Sequence, residues 1–196
     1  MGSLPFLSLP KMKDGRSILA GGRFDLTISR LAHEVVENYP NWDNACIIGI
    51  QESGVVLSDV LCSQIAKITK RKRILTGKLD ITFYRDDFRM REVPLAASDT
   101  ELDFSLDGMR VILVDDVLYT GRTVQAALAA LQDYGRPAQV ELLSLVDRRF
   151  VRHLPIEADY VGITVDAIND SYVKVSWDQE AGDHSVILYH NQSQQS

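Results

Sequence analysis

The chain has 196 residues, enough for one domain with a substantial core, and its 45% hydrophobic and 24% charged content is ordinary for a globular protein. A net charge of -6 weighs against a general nucleic-acid binder. No apolar run approaches the ~18 residues of a membrane span and no leader pattern opens the chain, so a cytoplasmic protein without a membrane partner is expected.

In chain order, residues 1–22 are rich in Gly, Pro and Lys and read as an N-terminal arm. Phe24, Ile28, Leu31, Val35 and Val36 recur at helical spacing, with Asp25 as the expected N-cap and Tyr39-Pro40 as the stop. Ala45 to Ile50 is a short continuous apolar run, the mark of a strand buried on both faces, and Gln51-Glu52-Ser53-Gly54 is a turn. A second helical period runs through Val56, Leu57, Val60, Leu61 and Ile65. The basic run from Lys67 to Arg73 reads as a solvated connection. Cys46 and Cys62 belong to no C-x-x-C pair and read as reduced core thiols.

Leu79 to Tyr84 reads as a strand, and residues 85–107, dense in charge and without periodicity, as a mobile functional loop. A strand at Arg110–Val114 leads into a helix carrying Val124, Ala127, Leu128 and Leu131, which ends near Gly135-Arg136-Pro137. Val140 to Val146 is another buried strand. Val173–Trp177 and Val186–Tyr189 form a closing hairpin, and residues 191–196 a flexible tail. Alternating strands and helices predict an α/β fold with a mainly parallel sheet flanked by helices, one domain over residues 23–190. Ligands are expected at the carboxyl ends of its strands.

The most informative stretch is Asp115-Asp116-Val117-Leu118-Tyr119-Thr120-Gly121-Arg122-Thr123, placed between a strand and a helix. Gly121 permits close backbone approach, and the leading amides of a helix carry partial positive charge, so the turn suits a phosphate. Thr120 and Thr123 add hydroxyl donors. Two carboxylates beside an anion site make sense only if the same ligand also presents hydroxyls or a magnesium ion. A ribose 5-phosphate meets that demand, with its phosphate in the turn and its 2- and 3-hydroxyls on Asp115 and Asp116. Neither G-x-x-x-x-G-K-[ST] nor G-x-G-x-x-G occurs, which excludes the Walker loop and the dinucleotide fingerprint.

This acidic pair and turn resemble the signature of the type I phosphoribosyltransferases, which bind phosphoribosyl pyrophosphate (PRPP). Further stretches narrow the resemblance: Ser29 to Glu34, Leu79 to Phe88, Val111 to Val124, Val146-Asp147-Arg148, Leu154-Pro155-Ile156 and Ala158-Asp159-Tyr160. Over about residues 16–190 the chain is similar to the PyrR family, regulators of pyrimidine operons with uracil phosphoribosyltransferase activity. The resemblance implies formation of UMP and pyrophosphate from uracil and PRPP with Mg2+. Asp115 and Asp116 would be catalytic, holding the ribose hydroxyls and, through the ligand, the metal. Leu118, Tyr119, Thr120, Gly121, Arg122 and Thr123 would take the 5-phosphate, with Arg85 and Asp86 at the hinge of a closing loop. Glu52, Ser53 and Gly54 would face pyrophosphate, and Val146, Asp147 and Arg148 the base. Arg30, His33, Arg149 and Arg152 would be RNA-binding cations, and a homodimer or larger homo-oligomer is implied.

Two departures stand out. Family members carry Arg-Gly where this chain has Ser53-Gly54, and Glu52 adds a negative charge there. A charge-assisted arginine–phosphate contact is worth roughly 1.5–3 kcal/mol, so weaker PRPP binding or turnover is expected. Glu157 and Ile163 stand where basic residues are common, which predicts weak RNA affinity or its loss. A nucleotide-sensing regulator with weak or lost catalysis is the alternative to an active enzyme. His33-Glu34-Val35-Val36-Glu37 lacks the final ligand of a zinc helix and reads as a polar helix stripe.

Overall fold

The computed structural model describes residues 15–71, 73–86, 99–166, 171–178 and 184–190. Among them the order is β1 (Arg16–Ala20), α1 (Gly22–Asn38), β2 (Ala45–Ile50), α2 (Ser53–Thr69), β3 (Leu75–Leu79), β4 (Arg110–Leu118), α3 (Arg122–Leu131), β5 (Gln139–Arg148), β6 (Tyr160–Val165), β7 (Ser171–Trp177) and β8 (His184–His190). The apolar runs become a parallel sheet in the order β3-β2-β4-β5-β6. Every residue of β2 is buried, as a strand covered on both faces requires. One face carries α1 and α2, whose Phe24, Ile28, Leu31, Leu57 and Leu61 share a core with Ile47, Ile112 and Leu143. The other face is covered by α3 and by Leu102, Phe104 and Leu106, packed with Ile48, Val111 and Leu113.

The closing hairpin is present: β7 and β8 pair antiparallel from Ser171–His190 to Trp177–His184. It forms part of a second, three-stranded sheet, because β1 joins its free side in the order β1-β8-β7. Residues 16–20 are therefore a strand rather than part of a loose arm, with Leu19 in the core; residues 1–14 lie outside the described residues. Short strands with one buried position give little periodicity, which is why composition alone misplaces β1. The edge strand β6 is also absent from the sequence reading; its pattern of half-buried positions has no continuous apolar run.

Three boundaries move for physical reasons. Gly21, not Asp25, holds the N-cap position of α1, and Asp25 sits in the first turn, where its charge faces the positive end of the helix. The strand expected at 79–84 ends at Leu79. The Asp80 carboxylate accepts hydrogen bonds from the Thr82 amide (2.8 Å) and hydroxyl (2.6 Å), and this local turn bends the chain into a 3-10 helix at Thr82–Tyr84. The far part of the expected mobile loop is packed: Glu101 pairs with Lys78 through backbone hydrogen bonds of 3.0 and 2.9 Å, and Leu106 is fully buried. Residues 87–98 of that loop lie outside the described residues. Cys46 is buried and both cysteines are free; burial pushes each thiol up to about 12, which leaves them unreactive.

Candidate functional site

Strand order locates the site. From β2 the chain goes outward to β3 and then returns through β4 toward β5 and β6 on the other side. The turns after β2 and β4 therefore diverge at a topological switch point, the place where open α/β sheets bind ligands. Residues 51–54 and 115–123 meet there. Gly54 makes the meeting close: a Cβ on it would lie 2.4 Å from the Val114 carbonyl oxygen and 3.3 Å from Asp115 Cα. Gly49 does the same for the preceding strand, where a Cβ would lie 2.6 Å from Val55 Cα. Small residues at both positions let the start of α2 rest against β4.

Asp115 and Asp116 lie within the last residues of β4 rather than beyond it. Asp115 is buried, and its carboxylate accepts a 3.1 Å hydrogen bond from the Asp116 amide. Burial pushes its pKa well above the usual carboxylate range, and the neighbouring Asp116 charge adds to the rise. Asp116 is raised by burial as well, while the Ser53 hydroxyl, hydrogen-bonded to it, pulls the other way. The pair thus wants a cation or hydroxyl donors against it. The surrounding protein does not build a metal cage around it: among the described residues no cluster of three or more acidic, His or Cys ligands is formed.

The turn that follows is held by its surroundings. Gly121 adopts φ +90°, which a side chain disfavours, and Leu154 and Ile156 sit 3.3 Å from where its Cβ would be. The Thr120 carbonyl accepts from the amides of His153 (3.0 Å) and Leu154 (3.2 Å), and the Tyr119 carbonyl accepts from Arg152. Arg152 also pairs with Asp147, so one guanidinium ties the end of β5 to the turn. The first amides of α3 have no carbonyl ahead of them in the helix; that of Arg122 donates to the Thr120 hydroxyl at 3.4 Å, and that of Thr123 stands where a helix start favours an anion. Arg122 pairs with Asp86, which brings the residues just after the Thr82–Tyr84 helix to this turn.

Leu118 departs from expectation. Its amide donates to the Ser144 hydroxyl at 3.0 Å, and that hydroxyl donates in turn to the Val146 carbonyl at 3.0 Å. The Leu118 amide is thus spent inside the sheet and is no phosphate donor. Ser144, fully buried, is a residue the sequence reading missed; a lone Ser within Leu142-Leu143-Ser144-Leu145-Val146 is the signal that marks it.

Beside the acidic pair, a cavity of about 350 Å³ opens between the sheet edge and the antiparallel sheet. Ser53, Asp116, Val117, Tyr119 and Arg148 line one side, and Tyr172 to Val175 of β7 the other. Arg148 is buried, donates to the Ser171 carbonyl at 2.7 Å, and lies 4.0 Å from the centre of the Tyr119 ring. A second opening, lined by Asp147, Arg149, Phe150, Arg152 and Ile156, lies beyond the end of β5. Tyr172 and Lys174 were not expected at the site, since local pattern shows only that they share a strand face.

The expected RNA-facing cations are engaged within the chain. Arg30 donates to the Val161 and Gly162 carbonyls at 2.8 and 2.6 Å and pairs with Glu34. The His33 ring nitrogen lies 2.7 Å from the Ser29 carbonyl, and Arg149 pairs with Asp166 at 2.7 Å. Arg152 is taken up by Asp147 and Tyr119.

A five-stranded parallel sheet with an acidic pair and an amide-lined turn at its switch point is the arrangement of a phosphoribosyltransferase, and the phosphoribosyl transferase domain family matches residues 14–180. A mutant hypoxanthine phosphoribosyltransferase of Trypanosoma cruzi, complexed with its product IMP, shares the fold with a TM-score of 0.68 over 94% of each chain, at 18% identity. The protein named Bifunctional protein PyrR of Desulfosudis oleivorans is 42% identical over 178 residues, covering 91% of this chain and 98% of the relative. Its namesake in Streptomyces coelicolor is 44% identical, covering 91% of each. The chain belongs to the PyrR family. No described helix is long and apolar enough to cross a membrane.

Proposed function

We propose that the chain transfers the phosphoribosyl group of PRPP to uracil, giving UMP and pyrophosphate in the cytoplasm. One observation carries the reading: the buried Asp115, the half-buried Asp116 and a glycine turn that opens a helix stand side by side at one end of the sheet, as a ribose 5-phosphate requires. In the reaction the bond from uracil N1 to the anomeric carbon forms, the bond from that carbon to the pyrophosphate oxygen breaks, and the N1 proton leaves. Residues Tyr119 to Thr123 hold the 5-phosphate. Asp115 and Asp116 orient the ribose hydroxyls, and their negative charge favours the positive charge that builds on the ring. Ser53 and Gly54 border the leaving group. Val117 and Tyr172 offer flat apolar walls for the base, with the backbone of Val146 to Arg148 close by.

The donor set fits magnesium only in part. Two carboxylates are too few for an all-protein cage, and magnesium is commonly held by one or two carboxylates together with substrate phosphates and water. Bound with PRPP against Asp115 and Asp116, it would neutralise charge on the pyrophosphate. Nucleotide formation from labelled uracil and PRPP, with cytosine and hypoxanthine as controls, tests the proposal. No UMP at any protein concentration would sink it.

The names of the relatives, each a bifunctional protein, favour a second activity, and we propose RNA-linked regulation as that reading. With Arg30, Arg149 and Arg152 in internal contacts and a net charge of -6, RNA affinity should be weak and fall steeply with salt. Tight UMP-dependent binding to a pyrimidine-leader hairpin at physiological salt, in a gel shift, would overturn that expectation. A homodimer or larger homo-oligomer is proposed with it, to be read by light scattering.

A further inference from the structure

The cavity beside the acidic pair has an unusual charge problem. Its core side presents Asp116 and the Ser53 hydroxyl, and the 52–54 turn adds exposed Glu52, with no cation in the turn itself. A pyrophosphate group placed there would meet carboxylates on two sides. The cations on the cavity wall are Arg148 and Lys174. Arg148 is largely spent: it is buried, donates to the Ser171 carbonyl and stacks on Tyr119, while its buried Nε has no partner among the described residues. Lys174 differs in every respect. It is exposed on β7, has no hydrogen bond or ion pair among the described residues, and shares a strand face with Tyr172, while Val173 and Val175 turn into the core.

We propose that Lys174, reaching across from the antiparallel sheet, is the cation that binds the pyrophosphate moiety of PRPP, with the Nε of buried Arg148 beneath it. The inference rests on the phosphoribosyl-transfer reading above and deepens it. Chemistry favours this ligand over the base. An ammonium on a flexible stem is a compact point charge with three donors, suited to a polyanion, whereas a neutral pyrimidine presents only carbonyl and N–H groups. The small sheet thereby supplies, from outside the parallel sheet, the charge that the 52–54 turn lacks.

Calorimetry on the full chain with magnesium pyrophosphate, and separately with UMP, tests this directly. In Lys174→Met the pyrophosphate affinity should fall about tenfold, the size of one lost charge-assisted contact, and the KM for PRPP should rise in step. UMP has no pyrophosphate, so its affinity should stay within about twofold, and Lys174→Arg should recover most of the loss. Unchanged pyrophosphate affinity in Lys174→Met, with UMP still bound by both proteins, overturns the assignment and leaves phosphoribosyl transfer standing. A loss confined to uracil overturns it too, by moving Lys174 to the base. Failure of the wild-type chain to bind UMP would instead remove the reading underneath, and the inference with it.

Discussion

The two turns at the switch point solve opposite problems. Around residues 119–123 the protein satisfies its own polar groups: Leu118 donates to Ser144, the Tyr119 and Thr120 carbonyls are taken by Arg152, His153 and Leu154, and Gly121 is roofed by Leu154 and Ile156. The Arg122 amide leans on the Thr120 hydroxyl at 3.4 Å, and the Thr123 amide beside it stands at a helix start, where an anion is favoured. Residues 52–54 are held as firmly, through Gly54 against β4, but what they present is a hydroxyl already engaged with Asp116 and an exposed carboxylate. On the proposed reading, the first turn attracts phosphate by itself. The second depends on cations brought by the ligand or by another element. An anion site is thus made by leaving donors free, and the position of a backbone alone does not make one.

The contrast breaks most severely at the first turn. Replacing Thr120 by Leu and Gly121 by Val together should remove hydroxyl and amide contacts and force a β-branched residue to φ +90°. With each lost charge-assisted contact worth roughly 1.5–3 kcal/mol, UMP and PRPP affinity should both drop on the order of a hundredfold or more. Unchanged UMP binding by calorimetry would mean the phosphate lies elsewhere. Next in size is Gly54→Ala, whose Cβ must displace the start of α2 from the Val114 carbonyl. We expect a loss of about 1–3 kcal/mol in urea unfolding, with PRPP affinity hurt more than UMP affinity. Equal stability would show that the close approach is slack.

Ser53→Arg sharpens the comparison by making the second turn more like the first. Turnover per unit PRPP should rise roughly tenfold, equivalent to about 1.4 kcal/mol, with UMP affinity nearly unaltered. The gain should be larger in a Lys174→Met background, where the leaving group has lost its other cation. If steady-state kinetics show no gain in either background, the new guanidinium is pairing with Asp116 and the electrostatic account of this turn is wrong. The smallest effect concerns pH. Because the folded-state pKa of Asp115 is raised, the native chain holds more protons than the unfolded one. Its contribution is complete below the ordinary carboxylate range, about 4, and is lost as pH rises above it. The ligand-free melting temperature should therefore decline with rising pH less in Asp115→Asn than in wild type. Equal slopes by calorimetry would show that burial does not hold this carboxyl proton.

Much of this was legible in local pattern. Ala45 to Ile50 and Val111 to Val114 are apolar without a break, and a strand covered on both faces is what such a run allows. Within Asp115 to Thr123 the glycine marked a strand-to-helix turn, because its φ of +90° is one that a side chain disfavours. Long-range pairing has no such local mark. Whether Arg16–Ala20 is a strand depends on β8, more than 160 residues away, and Asp80 ends a strand because its carboxylate competes for the next amides. Arg30 and Arg152 carry the same charge in the sequence as any surface arginine. Only packing decides that one is spent on Val161 and Gly162 and the other on Tyr119 and Asp147. The sequence alone therefore determined the parallel sheet, the glycine turn that opens α3 and the acidic pair before it. The tertiary structure decided which amides and cations remain free, and that Tyr172 and Lys174 face the pair, because hydrogen bonds and burial between distant segments consume some polar groups and spare others.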